Sequence, residues 1–157
     1  MSVMGIAQFE RFFRNAASLD VDKEDLRRYN DFINGKLYDL LLLAQVAAKA
    51  NLRLIIERYD LPITKGLQES IRAFKKLDEV IELQPILDQI VARPPLDLGY
   101  GVETEASLSQ IAGGLSFALA QTFKILNPTL KNPRTEHWEQ AFRIFDRLLL
   151  LEQERCG

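Results

Sequence analysis

Few side chains in this 157-residue chain are placed to do chemistry. His137, the single histidine, stands beside Glu136 and Glu139 near the expected start of the last helix. One imidazole cannot supply the paired ligands of a common zinc site, so a capping or surface role is expected. Gly99-Tyr100-Gly101 lacks the further spaced glycine of a phosphate-cradling loop. Gly113-Gly114 lies inside an apolar helical stretch with no lysine after it, which suits helix packing better. Glu79 with Glu82, and Glu103 with Glu105, pair carboxylates, but no Glu-x-x-His completes a di-iron set. Trp138, Phe142 and Phe145 recur at helical spacing, the pattern of a core rather than a cofactor floor. The lone cysteine, Cys156, excludes an internal disulfide and reads as incidental. A non-enzymatic protein with no metal and no cofactor is the expectation.

Bulk composition narrows the class. Hydrophobic residues make up 47% and charged residues 27%, enough for an ordinary core in one domain or two small ones. The net charge of -2 lacks the basic excess of a dedicated nucleic-acid binder. Residues 1–10 carry no basic segment before an apolar stretch, and the strongest apolar run, Leu40 to Leu43, falls far short of the ~20 residues that span a bilayer. A cytoplasmic protein without membrane contact is expected.

The elements that must position these residues read as helices. Ile6, Phe9, Phe12 and Phe13 mark a short first helix that ends near Ser18. Asp22 is a good N-cap, with Glu24 and Asp25 in the turn after it. From there Leu26, Tyr29, Ile33, Leu37, Leu40, Ala44 and Ala47 form one stripe over about 28 residues, roughly 42 Å of helix. Leu41, Leu42, Leu43 and Val46 lie off that stripe, so the helix must be covered from more than one side. Gly35 within it either admits another helix or is a tolerated defect.

Residues 51–59 read as a connector, after which Asp60 can cap a third helix with Pro62 in its first turn. Its stripe is Ile63, Leu67, Ile71, Phe74, Leu77 and Ile81. Pro85 opens a short piece that Arg93-Pro94-Pro95 closes, and residues 96–103 read as an irregular loop. Leu108, Ile111, Leu115, Ala118, Thr122 and Leu126 mark a second long helix from Thr104. Asn132-Pro133 reads as cap and first residue of a last helix carrying Trp138, Phe142, Phe145 and Leu149 to about Glu154. The order short, long, medium thus occurs twice. Residues 1–77 hold 13 basic and 10 acidic side chains, net +3; residues 78–157 hold 7 and 12, net -5.

A short helix, a central helix of about 28 residues and a third helix within some 75 residues resembles the histone fold. Histone folds carry an arginine in the second loop and an aspartate seven residues later; Arg53 and Asp60 have that spacing. A guanidinium held by a carboxylate would pin the loop through charge-assisted hydrogen bonds. The chain is more closely similar to a small bacterial family in which two histone folds are joined in one polypeptide. The stretches that carry this likeness are AQFERFFR at 7–14, LDVDK at 19–23, KLYDLL at 36–41, DLPITKGLQE at 60–69, PPLDL at 94–98 and LKNPRTEH at 130–137. The resemblance implies an all-α fold over 1–157: tandem histone folds, about 1–77 and 78–157, packed as an intramolecular pseudo-dimer. A lone histone fold exposes its long apolar stripe, and the tether makes the covering partner intramolecular.

Histones that wrap DNA present arginine, lysine and threonine to phosphates without reading bases. The candidates here for backbone contact with double-stranded DNA are Arg11, Arg14, Lys23, Arg27 and Arg53 in the first half, and Lys131 and Arg134 in the second. Around Arg53 the pattern departs from that of DNA-wrapping histones, because Leu52, Leu54 and Ile55 stand where glycine, a basic residue and threonine would be. The second half has Ala141, not aspartate, seven residues after Arg134. Two readings therefore compete: weak, low-specificity DNA binding with nucleoid association, and a protein-pairing module that touches no nucleic acid. The bland account of the arginines is a solvated helix face opposed by Glu24, Asp25 and Asp31. A monomeric pseudo-dimer or weak oligomer is expected.

Overall fold

The computed structural model describes residues 3–149, which form six α-helices and one two-stranded pairing. Cys156 and the extension of the last helix to Glu154 lie outside them. Helix α1 spans Val3–Ala17 and α2 spans Lys23–Ala50. Asp22 caps α2 as its residue type suggests: its carboxylate accepts from Asp25 N–H at 3.0 Å, and Asp25 returns the bond to Asp22 N–H at 3.0 Å. Helix α3 spans Lys65–Ile81, α4 Gln84–Ile90, α5 Val102–Leu126 and α6 Thr135–Leu149. Lengths of 15, 28 and 17 residues are followed by 7, 25 and 15, so short, long, medium does recur.

Local expectations need correction in three respects. Asp60 does not cap α3; it closes a single 3-10 turn, Arg58–Asp60, and Thr64 caps α3 by accepting from Leu67 N–H at 3.1 Å. Residues 51–59 and 96–103 are not wholly irregular, because β1 (Ile55–Ile56) pairs in parallel with β2 (Gly99–Tyr100). Helix α5 starts at Val102 rather than Thr104, and α6 at Thr135 rather than Pro133. Of the two readings of Gly35, the tolerated defect fits, since nothing among the described residues lies within 4 Å of a Cβ built there.

The core lies where the third helix of each half packs on the long helix of the other. α3 packs closely along α5, and α6 lies on α2. The α3–α5 approach depends on Gly113 and Gly114, over which Phe74 and Ile71 sit. α6 meets α2 through Phe32, whose ring lies 5.5 Å from Phe142 and 4.9 Å from Phe145. Phe9, Phe12, Phe13, Tyr29 and Phe74 form a second aromatic cluster under α1. The connection between α4 and α5 is fastened along α2: Asn34 Nδ2 donates to Ile90 C=O at 3.2 Å, Ala92 N–H donates to Asn34 Oδ1 at 2.7 Å, and Leu98 N–H donates to Gln45 Oε1 at 3.1 Å. No helix among the described residues is long and apolar enough to cross a membrane.

Candidate nucleic-acid interface

The loops flanking the long helices meet in two pairs, and this pairing decides which side chains share a surface. At one end, the loop before α2 meets the loop after α5: Asp20 N–H donates to Lys131 C=O at 2.7 Å. At the other, the loop after α2 meets the loop before α5 through β1 and β2.

The first end gathers cations from both halves. Arg14 leaves the last turn of α1 and stands 3.7 Å from Asp20. Lys23 and Arg27 leave the first two turns of α2, and Lys131 and Arg134 leave the loop before α6. Arg28, beside them, donates to Thr135 Oγ1 at 2.6 Å and so ties the start of α2 to the start of α6. Arg11 lies one turn before Arg14 on α1. Arg11, Lys23, Arg27, Lys131 and Arg134 are exposed and engage no acidic side chain among the described residues. Asp25 turns its carboxylate inward, where its Oδ1 still lies 3.7 Å from Arg28 Nη1. The loop over 127–137 lines an open depression of about 440 Å³ to which Lys131, Arg134, Glu136 and His137 contribute.

Arg53 does not belong to this group. Its guanidinium forms a bidentate pair with Asp60, both contacts at 2.6 Å, and lies 5.0 Å from the centre of the Tyr59 ring. Asp60 also accepts from Glu57 N–H at 2.8 Å. The loop pin expected from the seven-residue spacing is therefore formed, at the end opposite Lys131. The Arg53 guanidinium and the Glu57 N–H hold the Asp60 carboxyl below its ordinary value of 3.8, against the opposing effect of burial. A carboxylate whose folded pKa is depressed adds stability above its unfolded pKa and loses it as pH falls through the folded one. Asp60→Asn should thus lower the melting temperature at neutral pH, with the gap to the parent closing below about pH 4. Circular-dichroism melts across that range check this; a gap that widens toward acid contradicts it.

The remaining candidates resolve into structural roles. His137 caps α6, its Nδ1 accepting from Arg134 N–H at 2.9 Å. Trp138 is buried, and its indole N–H donates to Asp25 Oδ1 at 2.8 Å. Burial raises the Asp25 pKa above 3.8 despite that bond and the one from Asp22. Tyr29 and Ser116 share a buried hydroxyl contact at 2.7 Å, and burial pushes the phenol well up. Lys36 is buried between Asp39, at 3.3 Å, and Asp146, which fastens α6 to α2. None of these three contacts left a local signal, because their partners lie 87 to 113 residues apart. Among the described residues, no group of three or more His, Cys, Asp or Glu side chains could hold a metal ion.

The result is an all-α protein with one cationic loop pair and one pinned, apolar loop pair. The chain belongs to the family described as a domain of unknown function, DUF1931, whose model matches residues 9–146. It is 51% identical to a protein of Thermus thermophilus known from a crystal structure, which superposes with a TM-score of 0.81 over 92% of this chain and 97% of that one. A 1.9 Å crystal structure of protein AQ328 from Aquifex aeolicus is 26% identical, with a TM-score of 0.80 over 92% and 95% of the two chains. An uncharacterized protein of Aquifex aeolicus (strain VF5) is 26% identical over 144 residues, 92% of this chain and 84% of that protein.

Proposed function

We propose that this chain is a histone-fold pseudo-dimer, non-enzymatic, that contacts the phosphate backbone of double-stranded DNA without reading bases. Four features support the architecture: the recurring order of helix lengths, each third helix packed on the other half's long helix, the two loop pairs, and the bidentate Arg53–Asp60 pin. One observation carries the activity. The loop pair joined at Asp20 and Lys131 brings Lys131 and Arg134 from the net-acidic half beside Arg14, Lys23 and Arg27 from the basic half. Such a cluster is an electrostatic footprint for phosphates despite the overall charge of -2. The first half does not act alone, and Arg53 takes no part, being committed to Asp60.

A labelled duplex of about 60 base pairs, titrated at roughly 50 and 200 mM salt and followed by fluorescence anisotropy, tests this. Five phosphate contacts correspond to a loss of affinity of about 100-fold or more over that interval. Lys131→Glu with Arg134→Glu should weaken binding at least ten-fold and flatten the salt slope by about two, while Arg53→Ala leaves the slope unchanged. Absence of binding at the lower salt, or indifference to the double reversal, would favour the second reading, a protein-pairing module without nucleic-acid contact. The hydrocarbon on the opposite loop pair speaks for that second reading.

A further inference from the structure

We infer that a second copy of this chain docks on the end built from β1 and β2, through the hydrocarbon that the paired loops hold in water. Leu52, Leu54, Tyr59 and Val102 are 93%, 82%, 75% and 87% exposed, and Ile55 is half exposed. They belong to one end because Gly99 N–H donates to Leu54 C=O at 3.2 Å, Gly101 N–H donates to Ile56 C=O at 2.8 Å, and Val102 follows Gly101. Together they present several hundred Å² of mostly apolar surface, approaching the ~800 Å² per partner of a standard interface and large for a monomer with no use for it.

The φ of 58° at Leu52 belongs to the turn that ends α2, in which Leu52 N–H donates to Lys49 C=O and Arg53 N–H to Ala48 C=O, both at 3.0 Å, and that turn holds the leucine side chain out in water.

Charge selects the occupant. The ion pairs on this rim close within the chain: Lys49 with Asp97 at 2.7 Å, Arg53 with Asp60 at 2.6 Å, and Arg93 with Glu105 at 3.0 Å. Arg58 and Glu103, exposed and in no ion pair among the described residues, have opposite signs. A strongly charged partner finds nothing to complement there. A two-fold axis through this end sets hydrocarbon against hydrocarbon and lets each Arg58 meet a Glu103 of the other copy, the self-complementarity that an isologous interface requires.

Self-association needs no DNA, so its test is separate from that of phosphate binding. Sedimentation velocity of the full chain from about 1 to 200 µM should show concentration-dependent conversion of the 18.0 kDa species to one of twice that mass. The dimer should persist or strengthen between 50 and 500 mM salt, where a phosphate contact would weaken. Leu54→Asp with Val102→Asp should hold the chain at 18.0 kDa with an unchanged helical spectrum. Ile125→Asp, on the apolar cleft of about 500 Å³ between α3, α5 and α6, should leave the dimer intact. A parent chain monomeric at 200 µM overturns the inference, as does a dimer that survives the loop variant or is lost in Ile125→Asp.

Discussion

Gly113→Ala is expected to lower stability by about 3 kcal/mol or more, although alanine is the better helix former by about 1 kcal/mol. The methyl group would lie 2.2 Å from Cδ2 and 2.3 Å from Cε2 of Phe74, far inside van der Waals contact. Phe74 has nowhere to go: it is fully buried on α3, and its ring faces that of Phe12 at 5.9 Å. α3 must therefore lift from α5 along their main contact. Gly114→Ala acts on the same seam, its methyl 2.4 Å from Ile71 Cγ1 and 3.1 Å from the Ile71 backbone nitrogen. Gly35→Ala meets open space and should stabilise by about 0.5–1 kcal/mol. Urea unfolding of the three variants separates these signs. In a Gly113→Ala background, Phe74→Leu should cost less than it does alone, because the smaller side chain relieves the clash. Equal losses at positions 35 and 113 would exclude close packing as the role of the glycine pair.

Trp138→Phe is expected to cost about 2–4 kcal/mol, of which packing is the smaller share. The phenyl ring still faces Phe123 and Phe142, now 5.0 and 6.1 Å from the indole, but the donor to Asp25 is gone. A buried carboxylate that loses a hydrogen bond to its ionised form has its pKa raised further. Asp25 already titrates above 3.8 through burial, so between its unfolded and folded pKa values the native state binds more protons than the unfolded one. Stability from this group therefore falls as pH rises through that window, and it falls further in the variant. The cost of Trp138→Phe should be largest near pH 7 and shrink by pH 4. It should also be smaller beside Asp25→Asn, which leaves no charge stranded. Chemical unfolding of the four chains at both pH values checks the coupling; a cost independent of pH would assign the effect to ring volume alone.

These expectations rest on contacts that the sequence displays unequally. Helix α2 is legible because its determinants are local: the Asp22 cap, the acidic turn and a stripe whose members lie three or four residues apart. The Arg53–Asp60 pin is also short range, seven residues, and carries a known spacing. Asp60 before Leu61-Pro62 nonetheless imitates a cap, since the motif does not reveal that Arg53 and Glu57 N–H have already claimed the carboxylate. Strands of two residues have no alternation to detect, so β1 and β2 pass as loop. Gly35 and Gly113-Gly114 look alike in one dimension, and only the position of α3 separates them. The cationic cluster was legible residue by residue. That Lys131 and Arg134 share a face with Arg14, and Arg53 does not, depends on loop pairing across more than 100 residues.

Asn34-Gly35 and Gly113-Gly114 occupy the twelfth and thirteenth places of α2 and α5, and a helix packs onto the glycines of the second pair while Gly35 faces open space. In an assembly of two identical products of one gene, every codon change appears at both such places. A glycine that lets a helix approach on one side must then be tolerated on the other, and a cation gained at one end is gained at both. With both halves in a single reading frame, each place is inherited on its own. One seam can tighten to backbone contact while its counterpart stays open, and one loop pair can carry lysine and arginine while the other carries leucine, without either feature being copied across.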